Sequence, residues 1–212
     1  MKKIINYIIQ KIIFLGIWLI SSFSPVFAAE SATSEVPYAW YISRISGIVA
    51  FILFGIIVSS GIVMTTDLAG STILKNISKA KIFTIHKFLV LIAVSVMCLH
   101  FLVLIFDNYM KPTLLDLLIP FKIQSNTNLI ALGIIGFYLI LTVTISSYLV
   151  NKLPKKLWRA LHMLSFISFF LILIHGFFMG SDTHFIAIQI MYYFFGILVS
   201  LLTLFRIFKV IS

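Results

Sequence analysis

Four histidines hold most of the chemistry open to this chain: His86 and His100 in one apolar run, His162 and His175 in another. The intervals are fourteen and thirteen residues. On a helix rising 1.5 Å per residue each interval covers roughly 20 Å of axis, and a bilayer's hydrocarbon core is about 30 Å thick. Each run, as a helix, carries one imidazole towards each membrane face. Neutral imidazole is a normal axial ligand of haem iron. Two such helices side by side could hold two b-type haems, one above the other, each ligated by one histidine from each helix. The two histidines of one helix are too far apart to meet at a single zinc ion. Ionisable residues in membrane spans are costly and mark function by default, and four at matched depths are poorly explained as polar filler.

The elements that must position these histidines are transmembrane helices. Of 212 residues, 61% are hydrophobic and 10% charged, and the mean hydropathy is +1.15. That composition indicates an all-α, polytopic membrane bundle. Five apolar runs are long enough to span: about Trp40–Thr65, Lys81–Phe106, Leu129–Val150, Lys155–Met179 and Phe185–Phe208. Inside lipid every backbone polar group must be satisfied within its own segment, so such runs are helices. Lys2, Lys3 and Lys11 precede an apolar stretch that ends in Val26-Phe27-Ala28, the layout of a secretory signal peptide over 1–28. If that segment is retained it is a sixth helix. Either way Glu30 emerges on the outer side.

A net charge of +10 could suggest nucleic acid, but the basic residues cluster at the ends of the apolar runs and so argue against it. Lys75, Lys79 and Lys81 follow the first run, Lys152, Lys155, Lys156 and Arg159 follow the third, and Arg206 and Lys209 close the last. Glu30, Glu35, Asp107, Asp116 and Asp182 fall on the other side, with only Lys111 and Lys122 as basic loop residues. The positive-inside rule places the basic side in the cytoplasm of an inner (plasma) membrane, with the N-terminus outside after signal cleavage. The second and fourth runs then travel in the same direction. His86 and His162 fall near the inner face, and His100 and His175 near the outer face. The single Cys98 excludes an intramolecular disulfide, and no Cys-x-x-Cys-His is present for covalent haem attachment. The Leu114–Leu118 stretch, ended by Pro120, reads as a short amphipathic helix lying on the outer membrane surface or capping the outer haem.

One phase mismatch stands out. Fourteen residues bring His86 and His100 to within about 40° on an ideal helix, whereas thirteen leave His162 and His175 about 140° apart. The fourth helix is therefore expected to kink, with Ser165 and Ser168 as candidate causes, or the second helix must meet its two haems from different sides. Arg44, one turn inside the outer end of the first run, either snorkels to the surface or meets a haem propionate. Arg159 and Lys87 could serve the inner haem in the same way, or only set topology. His184 reads as a solvated loop residue and Cys98 as packing.

Several runs resemble the ferric reductase-like transmembrane domain family: Trp40-Tyr41-Ile42-Ser43-Arg44-Ile45-Ser46-Gly47, Ile85-His86-Lys87-Phe88, Leu117-Leu118-Ile119-Pro120-Phe121, Trp158-Arg159-Ala160-Leu161-His162 and His175-Gly176-Phe177-Phe178-Met179-Gly180-Ser181-Asp182-Thr183. The resemblance covers about residues 38 to 208. That family includes the membrane halves of ferric reductases and NADPH oxidases, and the haem subunit of periplasmic methionine-sulfoxide reductase. The fourteen and thirteen spacing is similar to the two-haem pattern of the NADPH oxidase branch. The resemblance implies that His86, His100, His162 and His175 are the ligands of two haem b groups. The sequence departs from the reductases after the fifth run, where no flavin or nicotinamide domain follows.

The expected function is that of a di-haem membrane cytochrome, an oxidoreductase component. It would carry electrons from a cytoplasmic flavoprotein reductase or a membrane quinol to an outer-side acceptor. The first alternative is a haem-bearing subunit dedicated to one partner enzyme, such as a methionine-sulfoxide reductase. The second is a proton-relaying transporter, which should need carboxylates inside its helices.

Overall fold

The computed structural model describes residues 38–66, 78–107 and 111–211, with side chains to 208. These belong to the unit Pro37–Ser212. The expected signal peptide over 1–28, and Glu30, Glu35 and Lys75 of the charge tally, lie outside the described residues, as does the side chain of Lys209. The described chain is all-helical. It comprises α1 (Tyr38–Thr65), α2 (Lys79–Val103), the short α3 (Leu114–Leu118), α4 (Thr127–Tyr148), α5 (Lys155–Met179) and α6 (Ile186–Ile211). Five of these are long and apolar enough to cross a membrane, so the chain is a polytopic helical bundle.

Local chemistry sets the ends. Ser78 caps α2 by accepting from the Lys81 amide, which satisfies one of the donors left free in a first helical turn. A 3-10 turn, Leu104–Phe106, tightens the far end of α2. Pro154 precedes α5, where the missing N–H costs nothing. The α5 helix closes on the Gly180 amide, which donates to the Gly176 carbonyl at 3.0 Å. Asn126, at φ 49°, enters α4 from the left-handed region, which asparagine tolerates better than most residues.

The expected short helix is present as α3. Thr113 and Asp116 form a reciprocal capping box there, and Lys122 pairs with Asp116 at 3.0 Å. The Tyr138 hydroxyl donates to the Leu118 carbonyl at 2.5 Å and so ties α3 to α4. Hydrogen bonds from Thr113 and then Lys122 hold the Asp116 carboxyl down at about 2. The folded value is below the ordinary one, so this contribution is complete above pH 3.8 and is lost as the pH falls towards 2. Amide exchange at Thr113 and Asp116 should therefore be flat from pH 7 to 4 after correction for intrinsic rate. In Asp116→Asn it should be faster throughout that range.

The packing order is a ring in which α1 meets α2, α2 meets α4, α4 meets α5 and α5 meets α1, with α6 laid against α1 and α5. The helices α2 and α5 occupy a diagonal and share no substantial interface. The core lies along α1, where Phe51, Phe54, Val58 and Ile62 pack with Phe169 of α5 and with Tyr192, Phe195 and Val199 of α6. Without a hydrophobic driving force between helices in lipid, association relies on close approach and interhelical hydrogen bonds. Gly55 supplies the first: a Cβ there would run into the Phe195 ring. Ser168 supplies the second: fully buried, it donates across to the Gly136 carbonyl of α4 at 2.7 Å.

That bond uses Ser168 for α4–α5 packing, whereas the sequence offered it as a cause of bending. The α5 helix runs unbroken from Lys155 to Met179.

Candidate functional site

Each histidine-bearing helix is flanked by a neighbour that receives its imidazoles. On α2, the His100 Nδ1–H donates to the Ser43 carbonyl of α1 at 2.8 Å. On α5, the His175 Nδ1–H donates to the Leu129 carbonyl of α4 at 2.8 Å. A carbonyl only accepts, so Nδ1 carries the proton in both rings and Nε2 keeps its lone pair. At the other end, His86 Nδ1 lies 3.1 Å from Ser60 Oγ. Ser60 spends its own proton on the Ile57 carbonyl at 2.9 Å, so it accepts from His86 and fixes the same tautomer. His162 Nδ1 lies 3.3 Å from Ser147 Oγ of α4. All four rings thus have Nδ1 engaged from the side, the arrangement that orients a metal-ligating histidine, and in His86, His100 and His175 it leaves Nε2 to bind.

Glycines make room for three of these rings. A Cβ at Gly47 would sit 3.0 Å from His100, one at Gly133 2.7 Å from His175, and one at Gly61 3.4 Å from His86. Gly47 and Gly61 repeat the fourteen-residue interval of His86 and His100 in the antiparallel sense. The fourth ring, His162, is covered by Trp158 at 5.2 Å between ring centres, with planes 31° apart.

The four imidazoles fall into two groups. His86 and His162 lie close enough to act on each other electrostatically, and so do His100 and His175. Each group draws one ring from α2 and one from α5, across the diagonal where the two helices do not pack. All four are half-buried in protein. Leu129 and Ser147, which meet the two rings of α5, lie about five turns apart and therefore along one stripe of α4.

The chemistry of this donor set fits haem. A bis-histidine haem takes one Nε2 from each side and needs the ligating helices held apart. Among the described residues there is no group of three or more His, Cys, Asp or Glu able to cage a metal ion, and a two-ligand site requires none.

Arg44 has a partner the sequence reading did not weigh. Its guanidinium grips Asp182, in the loop before α6, through both carboxylate oxygens. Nε donates at 2.8 Å and Nη2 contacts the second oxygen. The same guanidinium lies 4.0 Å over the Trp40 ring, a cation–π contact. The pair sits beside the Ser43 carbonyl that anchors His100. Arg159 is exposed on the first turns of α5, and Lys87 is exposed with its ammonium over Phe83 at 5.6 Å. His184 is exposed, its Nδ1 donating to the Ser181 carbonyl at 2.7 Å. Cys98 is a half-buried free thiol.

The sequence did not single out Ser60, Ser147 or the three glycines, although the Gly47–Gly61 interval was a signal for two of them. Nor did it connect Arg206, on α6, with His162, although the two interact electrostatically. The chain was compared with known protein families, characterised proteins and solved structures, and none of them matches it.

Proposed function

We propose that the protein is a di-haem b-type membrane cytochrome that carries electrons from one side of a bilayer to the other. The observation that carries this reading is the two-by-two pairing of His86 with His162 and His100 with His175, each ring with Nδ1 engaged. A haem iron bound in each pair would supply one-electron transfer between its two oxidation states. The protein's own residues do the rest. Ser43, Leu129 and Ser60 hold the imidazoles in one tautomer, Gly47 and Gly133 let the rings lie close to the neighbouring helix, and the apolar bundle excludes water.

The lysine-rich end is the cytoplasmic one by the positive-inside rule, which makes His86 and His162 the inner pair and His100 and His175 the outer pair. The resemblance to the ferric reductase-like transmembrane domain family supports the same assignment. Electrons would enter from a cytoplasmic flavoprotein reductase or a quinol and leave to an outer-side acceptor. A proton-relaying transporter is disfavoured, because among the described residues no carboxylate lies within the five spanning helices.

Pyridine haemochrome assayed against protein in the purified chain should give about two haems per polypeptide, both non-covalent. A ratio near zero would overturn the reading.

A further inference from the structure

Two buried side-chain polar atoms lack a hydrogen-bond partner among the described residues: Ser59 Oγ and Trp158 Nε1. A serine hydroxyl on a helix can turn to its own backbone. An indole N–H only donates, in one direction fixed by the ring, and a buried one normally finds an acceptor. The Trp158 ring lies against His162. From α6, Arg206 approaches the same imidazole closely enough to act on it electrostatically. Its guanidinium stands 6.0 Å from the ring centre of Phe166, one turn beyond His162. Arg206 is half-buried and forms no ion pair among the described residues. A cation and an unmet donor therefore stand near one candidate ligand. At the opposite end the comparable arginine, Arg44, is already held by Asp182.

A guanidinium fork and a fixed N–H together suit a carboxylate. We propose that Trp158 and Arg206 form a carboxylate cradle that holds a propionate of the inner haem. The inference rests on the haem reading above. It makes Trp158 and Arg206 positioning residues of the inner site and sets the inner haem's potential apart from the outer one. A cation on the propionate opposes the extra positive charge of the ferric state, so losing it favours that state and lowers the potential.

Redox titration of the purified holoprotein, with the two haems resolved spectrally, tests this. Arg206→Gln and Trp158→Phe should each retain two haems, lower the potential of the inner haem and leave the outer one in place. Arg206→Lys should recover most of the shift. Trp158→Phe keeps the ring and removes only the N–H, so it carries the test if Arg206→Gln fails to fold. Protein loaded with haem dimethyl ester, which lacks the free carboxylates, should lose the sensitivity to both substitutions. That arm separates a propionate from a lipid phosphate held by the same residues. An unchanged inner potential in either variant, or an equal shift in the ester-loaded protein, would overturn the cradle while leaving the cytochrome intact. A wild-type protein without haem would instead remove the reading on which the cradle rests.

Discussion

Alanine at His86 and alanine at His162 should give the same absorption spectrum, that of a protein keeping only the outer haem. Alanine at His100 and at His175 should give a second shared spectrum, that of a protein keeping only the inner one. Each substitution should take haem content from about two per chain to about one, because a bis-histidine site that loses one axial ligand loses most of its hold on the iron. The sorting is the sharp part. Sequence neighbours on one helix, His86 and His100, should differ, whereas residues far apart in sequence should agree. That follows from the diagonal pairing of α2 with α5. Low-temperature difference spectra of the four variants read it directly, and His86→Ala matching His175→Ala would show that the two helices do not run in the same direction.

The second large effect needs no change to any histidine. A methyl group at Gly133 would lie 2.7 to 2.9 Å from the His175 ring, closer than real carbon atoms approach. Overpacking of this kind costs about 1–3 kcal/mol where it can be absorbed. Here the ring that must move is the one donating to the Leu129 carbonyl, so Gly133→Ala should detach the outer haem or leave it weakly bound. Gly61→Ala is the control. Its methyl would meet His86 at 3.4 Å, an ordinary contact, and inner haem content should be unchanged. Haemochrome assays and redox titration of the two variants side by side give the answer. Equal occupancy in both would mean that His175 has room the geometry does not suggest.

Helix placement was largely legible in advance because lipid imposes one rule on every backbone group. Lys155–Met179 came out residue for residue, and the short α3 helix appeared where Leu114–Leu118 and Pro120 place it. The four histidines were legible for a related reason: polar rings in apolar helices are conspicuous. What was not legible was the side-on support. Ser43 and Leu129 contribute through backbone carbonyls, which every residue owns, so sequence cannot single them out. Arg44 illustrates a different limit. It lies near the start of α1, somewhat deeper than one turn because the helix begins at Tyr38, and its partner Asp182 lies 138 residues away, so only the folding of α5 onto α1 brings the two together. The thirteen-residue interval on α5 suggested a distortion. In the structure α5 is one continuous helix from Lys155 to Met179, and the groups that meet its two rings, Leu129 and Ser147, share one stripe of α4.

The bond between Arg44 and Asp182 also bears on how the chain is assembled. The helix α1 is made first among the described spans, yet it buries its phenylalanines against α5 and α6, and the carboxylate of Asp182 that pairs with its arginine lies just ahead of α6. Until α5 and α6 follow, α1 must wait in the membrane without that cover and without that carboxylate. Closure of the ion pair therefore reports that the last hairpin has crossed. A chain interrupted before Asp182 would lack this ion pair and the cover that α6 lays over the phenylalanines of α1.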